Sequence, residues 1–196
     1  SIYILVFHEW WGLNDHIKRE AEQLHTAFPN AHILALDLYD GKVATTREEA
    51  SALMKANKAD RSLRIIQAAA DYAGEEATFG TIGWCFGGGW SLQAALALGD
   101  QVDACVMYYG MPVREAEQLN SLEAPVLGIF AEQDGWINRE VVGEFENAME
   151  AADKMVSVHW YDAQHAFANP SNAQFDEAAT KDAWQKTLQF LWTHLL

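Results

Sequence analysis

Short apolar, β-prone runs punctuate the chain: Ile2–Phe7, His32–Leu36, Thr78–Gly83, Val102–Tyr109, Val126–Ala131 and Val156–Tyr161. Several are continuously apolar rather than alternating, the pattern of strands buried on both faces of a parallel sheet. Helical patterns fill the intervals. Asn14 or Asp15 caps a helix reaching about Ala27, with Pro29 just beyond it. Thr46 and Glu49 form a capping-box pair and open a helical region reaching about Tyr72, with Gly74 as its stop. Further helices fit Gly88–Leu98, Arg139–Ala152 and Ala178–Leu195, and Gly110–Ala124 reads as a looser stretch. No repeat, low-complexity tract or linker interrupts the alternation. Residues 1–196 are therefore expected to form one α/β domain, a mostly parallel, doubly wound sheet of about six strands with helices on both faces. In such sheets ligands bind beyond the carboxyl ends of the strands, so the chemistry is sought in the segments after each run.

Composition narrows the function classes. The 196 residues include 13 Lys plus Arg and 28 Asp plus Glu, a formal net charge of −15. That balance excludes a nucleic-acid binder and a binder of anionic membrane surfaces, since both need clustered cations. Half the residues are apolar and 21% are charged, which excludes a disordered acidic tail. Cys85 and Cys105 are the only cysteines, too few for a disulfide scaffold or a four-cysteine zinc site. No apolar run approaches the ~20 residues of a membrane-spanning helix. Ile2–Phe7 is too short for a signal peptide and lacks its basic flank. A cytoplasmic protein acting on a small molecule is expected, with its oligomeric state open and a monomer allowed.

After the third run stands Gly83-Trp84-Cys85-Phe86-Gly87, the small-x-nucleophile-x-small pattern of a nucleophile elbow with Cys where Ser is commoner. The nucleophile occupies a tight strand-to-helix turn, so the residues two away on either side must lack bulk. The helix that follows points its positive end at the sulfur, which favours thiolate. A glycine-rich turn around a structural Cys is the bland alternative. Asp134 follows the fifth run and His165 the sixth. Nucleophile, acid and His in that order, each at a strand end, form the Cys85, Asp134, His165 arrangement of nucleophilic acyl transfer. Asp162 and Glu132 compete for the acid role, but Asp134 has the required position.

The segment after the first run, His8-Glu9-Trp10-Trp11-Gly12, occupies the place that donates one oxyanion-hole amide. Trp10 is the expected donor, with Phe86, directly after the nucleophile, as the second. His8-Glu9 would begin a zinc motif, but its second His would fall at Gly12, so no metal is expected. His8, His16, His25, His32, His159 and His194 are expected mostly on surfaces or helix faces. Cys105 lies within a strand and should be buried and inert.

These residues resemble the dienelactone hydrolase (carboxymethylenebutenolidase) family of the α/β-hydrolase superfamily. The likeness covers nearly the whole chain. It is most specific in the Glu9 loop, Asp37-Leu38-Tyr39, the Cys85 elbow, Tyr108-Tyr109-Gly110, Asp134 and His165-Ala166-Phe167. The resemblance implies an α/β-hydrolase fold, a Cys85–His165–Asp134 triad, and Glu9 as a further catalytic residue in contact with the resting thiol. A carboxylate there opposes ionisation of the thiol while imidazolium and the helix end favour it, so a nucleophile armed only by substrate is expected. Of the two arginines with which the family holds a substrate carboxylate, Arg47 matches one, and the other position carries Asn169. A neutral amide cannot supply bidentate charge pairing. The family also has strand material before the strand that opens here, so either a short variant or a trimmed or processed start is expected, and a first residue Ser1 rather than Met favours the second.

The expected activity is hydrolysis of a small ester or lactone through a thioester, with no metal or organic cofactor. A general carboxylesterase or thioesterase is the alternative, as is a non-catalytic ligand-binding or redox-sensing α/β domain. Eight tryptophans sharpen the substrate. Trp10, Trp11, Trp84 and Trp136 fall in the chemistry-bearing loops beside Phe86 and Phe167 and predict an aromatic-walled pocket for a flat or apolar acyl group. Arg47 and Asn169 complete the expected substrate contacts.

Overall fold

The computed structural model describes residues 1–196. Strands β1 (Ile2–Phe7), β2 (His32–Leu36), β3 (Thr78–Trp84), β4 (Val102–Tyr108), β5 (Val126–Ala131) and β6 (Val156–Tyr161) form one sheet in the order β2-β1-β3-β4-β5-β6. Every strand pairing is parallel. Helices α1 (Asp15–Ala27), α2 (Arg47–Ala56), α3 (Ala59–Ala73), α4 (Phe86–Leu98), α5 (Arg139–Ala151) and α6 (Glu177–Leu195) supply the crossovers.

The two-residue period of the strands sorts the core into two layers. Leu5 and Phe7 of β1, Cys105 and Met107 of β4 and Phe130 of β5 pack with Ile66 of α3, Leu92 of α4 and Phe145 of α5. Ile4 and Val6, Val106 and Tyr108, and Leu127 and Ile129 pack with Ile17 of α1 and Leu191 of α6. Burial on both faces explains why the central strands read as continuous apolar runs.

Local signals set the helix ends. The Asn14 side chain accepts from the Ile17 N–H at 3.2 Å, and Thr46 accepts from the Glu49 N–H at 3.2 Å. Glu49 answers on the Thr45 N–H, one residue earlier than a capping box requires. The region expected as one helical stretch from Thr46 to Tyr72 is two helices. Asn57 and Lys58 are extended, and the Asn57 side chain bonds the Leu38 carbonyl and the Ser62 hydroxyl instead. Helix α4 begins at Phe86 rather than Gly88, because Gly88 and Gly89 already donate to the Cys85 carbonyl. Strand β4 ends one residue early, where Tyr109 turns to φ 36°.

The strand order reverses direction at β1 and β3, the switch point at which such sheets bind ligands. The His8 loop and the Cys85 turn both leave the sheet there.

Candidate active site

Cys85 joins β3 to α4 at φ 57° and ψ −119°, a region that side-chain-bearing residues rarely occupy. Two glycines make this turn possible. A Cβ on Gly83 would lie 1.9 Å from the Gly87 carbonyl oxygen, and one on Gly87 would lie 2.2 Å from the Phe7 carbonyl oxygen. The turn is thus pressed against both its own helix and β1, and the thiol is left half-buried at the strand tip.

The loops after β5 and β6 bring two distant residues to that thiol. His165 Nε2 is 3.0 Å from Cys85 Sγ, and His165 Nδ1 is 2.5 Å from Asp134 Oδ2. Asp134 is buried, and its other oxygen accepts from the Trp136 and Ile137 N–H groups at 2.9 and 3.0 Å. Burial alone would raise the Asp134 pKa, but these bonds and the imidazole hold it below the usual carboxylate range. Burial likewise disfavours a charged His165, yet its bonds to Asp134 and Cys85 outweigh that and push its pKa up to about 10. Glu132 pairs with Arg139, and Asp162 accepts from Gln133, so both competing acids are engaged elsewhere.

Glu9 is buried at the inner wall, and burial raises its pKa to about 7. Its Oε1 accepts from Asn169 Nδ2 at 2.8 Å. No hydrogen bond joins Glu9 to the resting thiol: Cys85 bonds His165, and Glu9 bonds Asn169. Asn169 was expected to face the substrate, but it is buried behind the cavity. Its own carbonyl accepts from the Ser171 N–H at 2.8 Å, which aims its amide at Glu9.

A cavity of about 410 Å³ opens over the thiol, lined by Glu9, Trp10, Trp11, Arg47, Asp134, Trp136 and His165 among others. That is within the size range of small-molecule sites. The Arg47 guanidinium carbon lies 5.5 Å from the Trp10 ring centroid, makes no ion pair, and belongs to the only Arg or Lys lining the cavity. The Trp10 N–H has no acceptor in the protein. Phe86 is the first residue of α4, where an N–H has no carbonyl four residues back within the helix.

Three expected wall residues, Trp84, Phe86 and Phe167, do not reach the cavity. Strand alternation turns Trp84 into the α1–α6 layer, where it packs on Tyr108 at 5.4 Å between ring centroids. Phe167 is fully buried between Tyr109 and Tyr161. The Phe86 ring packs on Tyr39 and Trp90.

His8 and Tyr109, which carry the family resemblance but were assigned no role in the sequence, support the site. His8 is wholly buried rather than on a surface. Its Nε2 accepts from the Leu38 N–H at 3.0 Å, so Nδ1 carries the proton and donates to the Glu9 carbonyl at 2.6 Å. Burial keeps it neutral by lowering its pKa. The ring latches the loop after β1 to the loop after β2. A histidine directly before Glu9 was the available signal, but its partner lies 30 residues away. Tyr109 packs its ring 5.1 Å from that of His165. His16 lies on a helix face, as expected, and is buried there on α1 beside Glu20.

The profile of the dienelactone hydrolase family matches residues 2–195. Protein usf of Aquifex pyrophilus is 28% identical over 98% of this chain and 88% of its own length. Carboxymethylenebutenolidase 1 of Cupriavidus pinatubonensis is 26% identical over 96% of this chain and 84% of its own. Among solved structures, a dienelactone hydrolase-like promiscuous phosphotriesterase from metagenomic libraries superposes with a TM-score of 0.85 at 23% identity, over 99% of this chain and 87% of that one. The dienelactone hydrolase of Anabaena variabilis gives a TM-score of 0.67 at 21% identity, over 99% and 87% of the two chains. The architecture is the α/β-hydrolase fold.

Proposed function

The chain belongs to the dienelactone hydrolase family, hydrolases of ester and lactone bonds, and on that premise we propose that it cleaves a small ester or lactone through a Cys85 thioester. The observation that carries this reading is the unbroken chain from Asp134 through His165 to Cys85, at 2.5 and 3.0 Å. A protonated imidazole donates from both nitrogens, to the Asp134 carboxylate and to sulfur, so sulfur is the acceptor and bears the reactive electron pair.

The steps follow from that arrangement. Sulfur attacks the acyl carbon, and the oxyanion forms against the Trp10 and Phe86 N–H groups. Collapse breaks the bond to the leaving oxygen, and His165 delivers its proton to that oxygen. The now neutral His165 takes a proton from water as the water attacks the thioester. The carbon–sulfur bond breaks, the acid leaves, and the imidazolium is restored. Asp134 keeps the ring oriented and stabilises its charge. Glu9, held by Asn169, leaves the thiol to His165 and forms the floor beside the reacting carbon.

With Asn169 turned away from the cavity, Arg47 alone can meet a substrate carboxylate. That favours a general carboxylic ester over a carboxylated lactone. Trp10, Trp11 and Trp136 line the walls and suit a flat or apolar acyl group.

The test is a burst experiment with 4-nitrophenyl benzoate. Stoichiometric nitrophenol release and a benzoyl mass increment on Cys85 in acid-quenched protein are expected. Cys85→Ala should lose at least about 10³-fold in turnover. Retained turnover in that variant overturns the reading.

A further inference from the structure

The cavity has two chemically different sides. The strand order places the loops after β1 and β2 on one side of the Cys85 turn and the loops after β5 and β6 on the other. The first side presents Trp10, Trp11, Arg47 and Met54. The second presents Trp136 together with the side-chain amides of Gln133, Gln164, Asn172 and Gln174.

These amides are largely uncommitted. The side chains of Gln164 and Gln174 make no hydrogen bond, and Gln133 uses only its NH₂ group, on Asp162, leaving its carbonyl free. Trp136 is 62% exposed, unusual for so large an apolar ring on a folded chain. An apolar plate bordered by neutral donor–acceptor groups matches a ligand with a C–H face and hydroxyls around its edge. A carboxylate or phosphate would instead call for cations, and this side has none beyond His165 itself. A plain alkyl group would leave the amides without partners.

The direction of proton transfer assigns the sides. His165 stands on the β6 side and gives its proton to the leaving oxygen, so the alcohol portion of the ester must lie there. We infer that the alcohol portion of the substrate is a neutral polyhydroxylated group, a sugar or polyol, seated on Trp136 and hydrogen-bonded by Gln133, Gln164 and Gln174. The acyl group lies on the opposite side, against Trp10 and Trp11. This rests on the ester-hydrolase reading above and specifies its substrate class.

Two benzoates of primary alcohols test it, methyl 6-O-benzoylglucoside and hexyl benzoate, with 4-nitrophenyl benzoate, whose activated leaving group carries no hydroxyl for the amides to bind, reporting the acyl-transfer machinery. The wild-type kcat/KM is expected to favour the glucoside over the hexyl ester by about tenfold or more, because hydroxyl-binding groups reject a partner that lacks hydroxyls. That ratio should fall to within about twofold of unity in Trp136→Ala and in the double variant Gln164→Leu/Gln174→Leu, with KM for the glucoside carrying most of the change. A wild-type ratio at or below one, or a ratio unmoved in both variants, overturns the inference. If 4-nitrophenyl benzoate is turned over in that case, the ester-hydrolase reading stands and only the alcohol assignment falls. If no benzoate is hydrolysed, both fall.

Discussion

Asn169 donates from its amide nitrogen to Oε1 of Glu9 at 2.8 Å, with both side chains buried. This bond settles which of two partners the carboxylate takes. Glu9 lines the same cavity as Cys85, yet the thiol bonds His165. The thiol is therefore paired with the His165 imidazole before any substrate arrives.

Iodoacetamide labelling of the free protein reads this directly. Wild type and Glu9→Gln are expected to alkylate at Cys85 with rate constants within about threefold of each other, since Glu9 does not hold the thiol. Asn169→Ala frees the carboxylate and should slow labelling by about tenfold, the cost of one competing charge-assisted hydrogen bond. Much faster labelling of Glu9→Gln than of wild type would restore the substrate-armed nucleophile expected from sequence.

Glu9 also links stability to pH. Burial raises its folded pKa from 4.5 to about 7. A group raised on folding contributes stability that is complete below the unfolded pKa and is lost as pH rises through the folded one. Glu9→Gln should thus match wild type near pH 4.5 and exceed it above about pH 7.5, by roughly 2–3 kcal/mol in urea denaturation. Glu20, whose pKa burial also raises to about 7, repels the Glu9 carboxylate, so Glu9→Gln relieves part of that repulsion as well, in the same direction. An advantage that shrinks with rising pH would contradict the assignment.

The turn between β3 and α4 stores backbone strain at Cys85. Cys85 at φ 57° should carry a cost on the order of 1–3 kcal/mol that glycine does not. Cys85→Gly is expected to be inactive, yet more stable than Cys85→Ala by about 1 kcal/mol despite its greater chain entropy. Equal midpoints of chemical denaturation for the two variants would remove the strain argument.

Two glycine substitutions should behave oppositely. Gly83→Ala drives a methyl group into the Gly87 carbonyl, so soluble folded protein is expected to be lost or destabilised by more than about 3 kcal/mol. Gly143, within α5, has no atom within 4 Å of an added Cβ. Gly143→Ala should therefore stabilise by about 0.5–1 kcal/mol through helix propensity. Thermal melts of the pair check both signs.

Much of the protein was legible in the chain because its signals are local. Apolar runs bounded by caps and glycines specify strands and helices residue by residue, and a parallel sheet follows from their alternation. The elbow is equally local, since the bulk forbidden at Gly83 and Gly87 is forbidden by residues beside them and by the adjoining strand. Asp134 and His165 were legible from chain order, each standing directly after its strand. What the sequence could not decide was where side chains point once the sheet is built. Trp84 and Phe167 sit next to the chemistry in the chain, but strand alternation and loop packing turn them into the core. His8 was expected at a surface or helix face and Asn169 at the substrate, yet each is buried and committed to a partner far along the chain, Leu38 and Glu9. Burial makes those bonds obligatory, because an unpaired polar group there would be costly. Sequence alone thus determined the family and the fold, and it singled out Cys85, Asp134 and His165, which the structure brings within hydrogen-bond reach of one another. Tertiary structure decided which acid the nucleophile leaves alone and which residues form the walls, because both depend on contacts between segments that only folding brings together.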